Sequence, residues 1–374
     1  MKRYLKILLL AVFFSFGWGI WWGFYKLELQ NPKIKTGPEV QILALRGFFT
    51  KDFLKSFEEK YHIHLVITEK TTENDLLRTA LSQNSDFDLI QITSYLTQSF
   101  LIENVFQPLD HSLVSRFNDI SVDFKSLDYD PSNKLLVPLS WGISGFVIHS
   151  KKISPEMTDL NDLFTPSLKT SVLNSPIELY NLAVKFKPII KTWVETGQKQ
   201  SLSSTLHELK TVFKVFSNNP TEEILSGSLD AGQISNGEAA ELIKKNPEFK
   251  FILPKERAPL WISMIGLSHR TQNVDRAQTV LNLLLKPDIN TELIKSNKQA
   301  TVLTTLNSSN LPALQKASYI REVPLAKVEL YVNHEAFEHT WTDALDDELL
   351  HTAAQSKAQI KPQPGIHVKT KVQK

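Results

Sequence analysis

No cysteine occurs anywhere in the 374 residues. That absence excludes disulfides, thiolate metal sites, cysteine nucleophiles and a lipid-modified N-terminal cysteine, while leaving the compartment open. Glycine, proline and serine are not in excess and no repeat period is present, so neither a low-complexity chain nor a solenoid is expected. There is no G-x-S-x-G, no P-loop and no G-x-G-x-x-G, and no nucleophile–base pair stands out, so an enzyme is not expected. A metal or cofactor is not expected either. His334-Glu335…Glu338-His339 lacks the H-E-x-x-H spacing and reads as a charged helix face.

Charge of one sign is also missing from the body of the chain. The formal net charge is +2. Residues 1–30 carry Lys2, Arg3, Lys6 and Lys26 against Glu28, and residues 357–374 carry five lysines and no acid. Removing the +3 of the first segment and the +5 of the second from +2 leaves −6 between them. An acidic body lacks the basic face that nucleic-acid binding needs. What remains is ordinary: 42% hydrophobic and 22% charged, with length enough for two lobes.

The N-terminus has a basic start, Met1-Lys2-Arg3, then an apolar run over residues 7–24 broken only by Ser15. At 18 residues it is long for a signal core and just long enough to span a bilayer. Trp18, Trp21, Trp22 and Tyr25 cluster at its far end, as in an interfacial aromatic belt. Residues 1–30 are therefore a signal peptide or an anchor in the inner membrane, with the body exported to the periplasm.

From residue 40 the chain alternates strand and helix. Strands are expected over 40–45, 62–68 and 87–92, with helices over 51–61 (N-capped by Thr50) and 74–82. That order predicts a parallel α/β sheet, whose ligands meet the carboxyl ends of strands. These ends are Leu45-Arg46-Gly47 and Thr93-Ser94-Tyr95. Two strands flank Trp141-Gly142, over 135–139 and 145–149. A helix is expected from Ser154-Pro155 to about Phe164, and a second α/β lobe follows. Residues 249–253 read as a strand ended by Pro254, which cannot continue a ladder, and 260–267 as another, with Trp261 near its start. Residues 325–351 read as helical and 357–374 as disordered.

Four segments then carry a family resemblance: FDLIQITSYLTQSFLIENVFQPLD (87–110), YDPSNKLLVPLSWGISGFVIHSKKI (129–153), DLNDLFTP (159–166), and FILPKERAPLWISMIGLS (251–268) with LLLKPD (283–288). In this order and spacing the chain resembles the spermidine/putrescine-binding periplasmic proteins, the solute-capturing components of ABC importers. The resemblance implies a two-lobed type II periplasmic-binding fold with discontinuous lobes and a hinge cleft. The first lobe would take 38–139 plus 263–307, and the second 140–262 plus 308–350. It implies a small polar solute, polyamine-like or altered, and an ABC permease as partners. A monomer is expected.

Residue by residue, the resemblance places Tyr95, Thr93 and Trp261 in the ligand pocket. The residues alone also allow core packing for Tyr95, a helix cap for Thr93 and an ordinary crossover aromatic for Trp261. Glu178 falls on an amine-binding glutamate, yet Ser175-Pro176-Ile177-Glu178 also reads as a capping box. Trp141 is read as hinge packing. The chain departs from the family at Leu45, Gly47 and Phe48, at Ser175 and Ser263 where the family has aspartates, and at Ser235 where it has tryptophan. Arg46 is added beside the cleft. Three acids and two tryptophans are lost, which implies an altered ligand. Ser175, Ser263, Ser235 and Arg46 join the candidate site on that basis.

Overall fold

The run Val40–Ala44 buries every side chain but Gln41, because a strand inside a parallel sheet has apolar neighbours on both faces. The computed structural model describes residues 37–330 apart from 72, 83–85, 95–96, 214, 257 and 323–327. Its strands are β1 (Glu39–Leu45), β2 (His64–Lys70), β3 (Leu89–Thr93), β4 (Leu136–His149), β5 (Thr170–Leu173), β6 (Val215–Ser217), β7 (Ala231–Ser235), β8 (Phe249–Ile252), β9 (Ala258–Leu267), β10 (Ala300–Thr301) and β11 (Val328–Leu330). They run in the order β2-β1-β3-β9-β4-β7-β5-β6, with β8 and β10 also on β4 and β11 on β9.

The early elements form for the expected reasons. Thr50 Oγ1 accepts from the Phe53 N–H and caps helix Lys51–Tyr61, which buries Phe53 and Phe57 and ends at His62 in the left-handed region. β1 pairs in parallel with β2 and β3, as the strand–helix alternation requires.

Two long strands tie the molecule together. β9 runs antiparallel to β3 and to the first half of β4. The second half of β4 turns to β7 and β8 instead. One strand thus serves two lobes, with β8–β9 as a second crossing through Leu253 and Pro254. The apolar core divides in the same way. One cluster takes Val40 through Ile143 and resumes from Leu253 to Ala317. The other side has two, around Phe146, Leu163, Leu206 and Phe213 and around Val147, Ile224 and Leu242. The expected lobe boundaries at 139/140 and 262/263 fall inside β4 and β9.

Three expectations are corrected. The two strands around Trp141-Gly142 are one 14-residue strand. The helix expected from Ser154 covers only Leu160–Leu163, capped by Asp159, because Ser154 Oγ instead accepts from the Glu156 N–H in a turn. Val328–Leu330, expected to be helical, pairs in parallel with Ala258–Leu260. The N-terminal segment 1–30, the tail 357–374 and the His334–His339 cluster lie outside the described residues, as does Tyr95. Among the described residues no helix is long and apolar enough to cross a membrane, and no group of His, Asp and Glu could hold a metal.

Candidate functional site

Strand alternation in β4 builds the floor of the site. Leu139, Trp141 and Ile143 point into the first core. Trp141 packs on Phe124 and Tyr319 and donates Nε1–H to the Thr301 carbonyl at 2.9 Å, so it is a core packing residue of the first lobe. The opposite face of the same stretch carries Ser140, Gly142 and Ser144, all small, because side chains alternate with period two. Pairing with β9 and β3 then lays out a row. Thr93 is level with Ser263, Ser263 with Ser140, and Trp261 with Gly142. The offset between β1 and β3 pairs Ile42 with Leu89. Arg46 follows the carboxyl end of β1, and Thr93 ends the parallel β3 at the same edge of the sheet.

Each candidate residue but Tyr95 has a definite place on this frame. Thr93 is buried at the carboxyl end of β3, and its Oγ1 has no hydrogen-bond partner among the described residues. It is not a helix cap; its carbonyl instead accepts from Thr97 Oγ1. An unpaired buried hydroxyl is costly unless something else satisfies it. The half-buried Trp261 ring lies across Gly142, where a Cβ would occupy the same space as the indole. Ser263 is fully buried and donates to Gln299 Oε1 at 3.0 Å; Ser140 donates to the same oxygen at 2.5 Å. Arg46 is exposed at the rim, beside a turn in which the Gly47 N–H donates to Glu69.

The second lobe brings its groups to Ser144, two residues along β4 from Gly142 and so about 7 Å away. Ser144 is paired with Ser235 and donates Oγ–H to Glu178 Oε1 at 2.6 Å. The Gln233 amide donates to Glu178 Oε2 at 2.9 Å. Glu178 stands in the first turn of helix Pro176–Phe186, but its carboxylate turns to these strands rather than back onto the helix start. Ser175 occupies the N-cap position without a capping hydrogen bond from its side chain. Burial pushes the Glu178 carboxyl up to about 7, against the two hydrogen bonds that favour its charge. Ser235 caps the next helix, accepting from the Glu238 N–H, and donates to the Lys298 carbonyl.

Thr93, Trp261 and Ser263 therefore share one row with Ser140, and Glu178 and Ser235 meet β4 just beyond it. Ser175 lies at the start of the Glu178 helix, and Arg46 at the rim. Ser140, Ser144, Gln233 and Gln299 were missed. Their signal was the alternation of large apolar and small polar residues over 139–144. Chemically, such an arrangement can offer one buried carboxylate and several hydroxyls to a polar group, against an aromatic wall.

Comparison with known proteins identifies the family and the fold. The family model described as bacterial extracellular solute-binding protein matches residues 52–321. The spermidine/putrescine-binding periplasmic protein of Salmonella typhimurium is 22% identical over 248 residues, covering 65% of this chain and 71% of that one. Spermidine/putrescine-binding periplasmic protein 1 of Haemophilus influenzae is 24% identical over 266 residues, covering 70% and 74%. Among solved structures, the spermidine/putrescine ABC transporter substrate-binding protein of Streptococcus pneumoniae, in complex with calcium and HEPES, superposes with a TM-score of 0.64. It is 18% identical and covers 85% of this chain and 99% of its own. These similarities show the two-lobed fold.

Proposed function

The chain belongs to the bacterial extracellular solute-binding proteins, and from that membership we propose that it captures a small polar solute between its two lobes and presents it to an ABC permease. It works outside the cytoplasm as a monomer, with residues 7–24 as signal or inner-membrane tether. Closure takes place where β4 and the chain leaving β8 at Leu253 and Pro254 pass between the lobes. Binding, not catalysis, is its task.

Its relatives are named for spermidine and putrescine. The same pocket supports a different specificity here. A diamine needs an acceptor for each ammonium group, each charge-assisted hydrogen bond contributing about 1.5–3 kcal/mol. Beyond the row formed by Thr93, Trp261, Ser263 and Ser140, with Arg46 at its rim, stands one carboxylate, that of Glu178. The observation that carries the reading is this buried acid, held by Ser144 and Gln233 on the Trp261 side of β4. It suits one cationic or donor group, with Trp261 against the carbon chain and Thr93 and Ser263 beside it.

Calorimetric titration of the full chain against polyamines, amino acids and small anions tests this. The expected result is saturable binding of a solute with a single basic group, lost in Glu178→Gln. Micromolar binding of spermidine or putrescine, unchanged in Glu178→Gln, would contradict it.

A further inference from the structure

Gln299 sits where the sequence drew no attention. It precedes β10, in which Ala300 pairs with Trp141. One step back along that antiparallel register, Gln299 is level with Gly142, which is itself level with Trp261 on the other side of β4. The missing side chain at Gly142 leaves space that the Trp261 ring occupies from one side. From the other, Gln299 reaches across β4 to the hydroxyls of Ser140 and Ser263.

Both hydroxyls donate to the same atom, Gln299 Oε1. Its backbone is tied as well, the N–H to Asn297 Oδ1 and the carbonyl to Gln315 Nε2. With its oxygen saturated and its backbone held, the side-chain amide has one group left, Nε2–H₂, which has no partner among the described residues. The residue is half-buried, so this donor is reachable. The unpaired hydroxyl of Thr93 is a second, independent sign that the row awaits a polar partner. Thr93 is level with Ser263, and adjacent paired residues project from the same face of a sheet.

We infer that Gln299 is a specificity-determining residue whose amide N–H₂ donates to an acceptor oxygen of the solute, so that the ligand carries a carboxylate or carbonyl at this end and an amino group at the Glu178 end. The inference rests on the reading of the cleft as the solute site and names the class of solute within it. Ser140 and Ser144, whose hydroxyls hold the two poles, are four residues apart on β4, about 13 Å. A short chain of four to six carbons spans the space between the side chains they hold. The polarity of the site is then donor at one end and acid at the other, matching an ω-amino acid or amino amide and opposing a diamine.

The test uses matched probes that differ only at one end. Putrescine and 4-aminobutyrate form one pair, cadaverine and 5-aminopentanoate the other, titrated calorimetrically into the full chain. The amino acid of each pair should bind about ten to a hundred times more tightly than its diamine, the range of one charge-assisted hydrogen bond. Gln299→Glu, which replaces the donor by an acceptor between the same two serines, should reverse the preference. Improper folding cannot produce a reversal. Ser263→Ala removes one of the hydroxyls that orient the amide and should lower amino-acid affinity severalfold without favouring the diamine. A wild-type ratio near one, or a ratio unmoved by Gln299→Glu, overturns the role of Gln299 while leaving solute capture standing. Failure of both proteins to bind any probe overturns it together with the cleft reading.

Discussion

Replacing Glu178 by glutamine should stabilise the ligand-free protein at alkaline pH and leave it unchanged in acid. The carboxyl titrates near 4.5 when exposed and at about 7 in the fold, chiefly because burial penalises its charge. Between those values the folded state holds a proton that the unfolded chain has released. Stability is therefore greatest below about pH 4.5 and falls as pH rises through 7. The difference of about 2.5 units corresponds to about 3 kcal/mol, fully lost above pH 8. Glutamine cannot ionise and keeps both partners, since Gln233 can still donate to its oxygen and the Ser144 hydroxyl can accept from its amide. Urea unfolding of wild type and variant at pH 5 and pH 8 measures this. The variant should be more stable by under about 1 kcal/mol at pH 5 and by about 3 kcal/mol at pH 8. A variant less stable at pH 8, or a difference independent of pH, would refute a buried acid whose charge burial penalises.

The same titration shapes ligand binding. An amino-bearing solute should bind with constant affinity above about pH 7 and lose about tenfold per unit below it, as the carboxylate must be deprotonated to pair; a flat profile from pH 5 to 8 would count against Glu178 as its partner. Gly142→Ala puts a methyl group where the Trp261 ring lies. It should reduce solute affinity at least ~10-fold through the displaced wall, read by calorimetry beside an unchanged far-ultraviolet dichroism spectrum. Gly237→Ala sets a methyl group against the Lys298 carbonyl, where backbone has little freedom to yield. A loss of about 1–3 kcal/mol in urea unfolding is expected.

Much of the fold was legible because its signals are local. Apolar strands alternating with capped helices gave the parallel lobes, and Thr50 starts its helix as read. β4 escaped because Gly142 reads as a break between a strand ending at 139 and one starting at Gly145. Their gaps are filled by Trp261 and Phe251 from other strands, which no local pattern shows. Glu178 was ambiguous for a similar reason. A glutamate three residues after a serine fits a capping box, and only the antiparallel pairing of β4 with β7 reveals Ser144 and Gln233 as its partners. Gln299 depends on register across three strands, β9, β4 and β10. Serines and glutamines are common, so their meaning arises only when topology brings them together.

A solute bound over the β4 face sets its amino group on Glu178. Equilibrium dialysis of the full chain against a defined mixture of amines, amino acids, amino amides and small anions, with the retained solutes quantified by mass spectrometry, tests it most directly. Wild type should retain one solute carrying a single basic group in near-stoichiometric amount, and Glu178→Gln should retain none. Equal retention by both proteins, or selective retention of a di- or triamine, would contradict it.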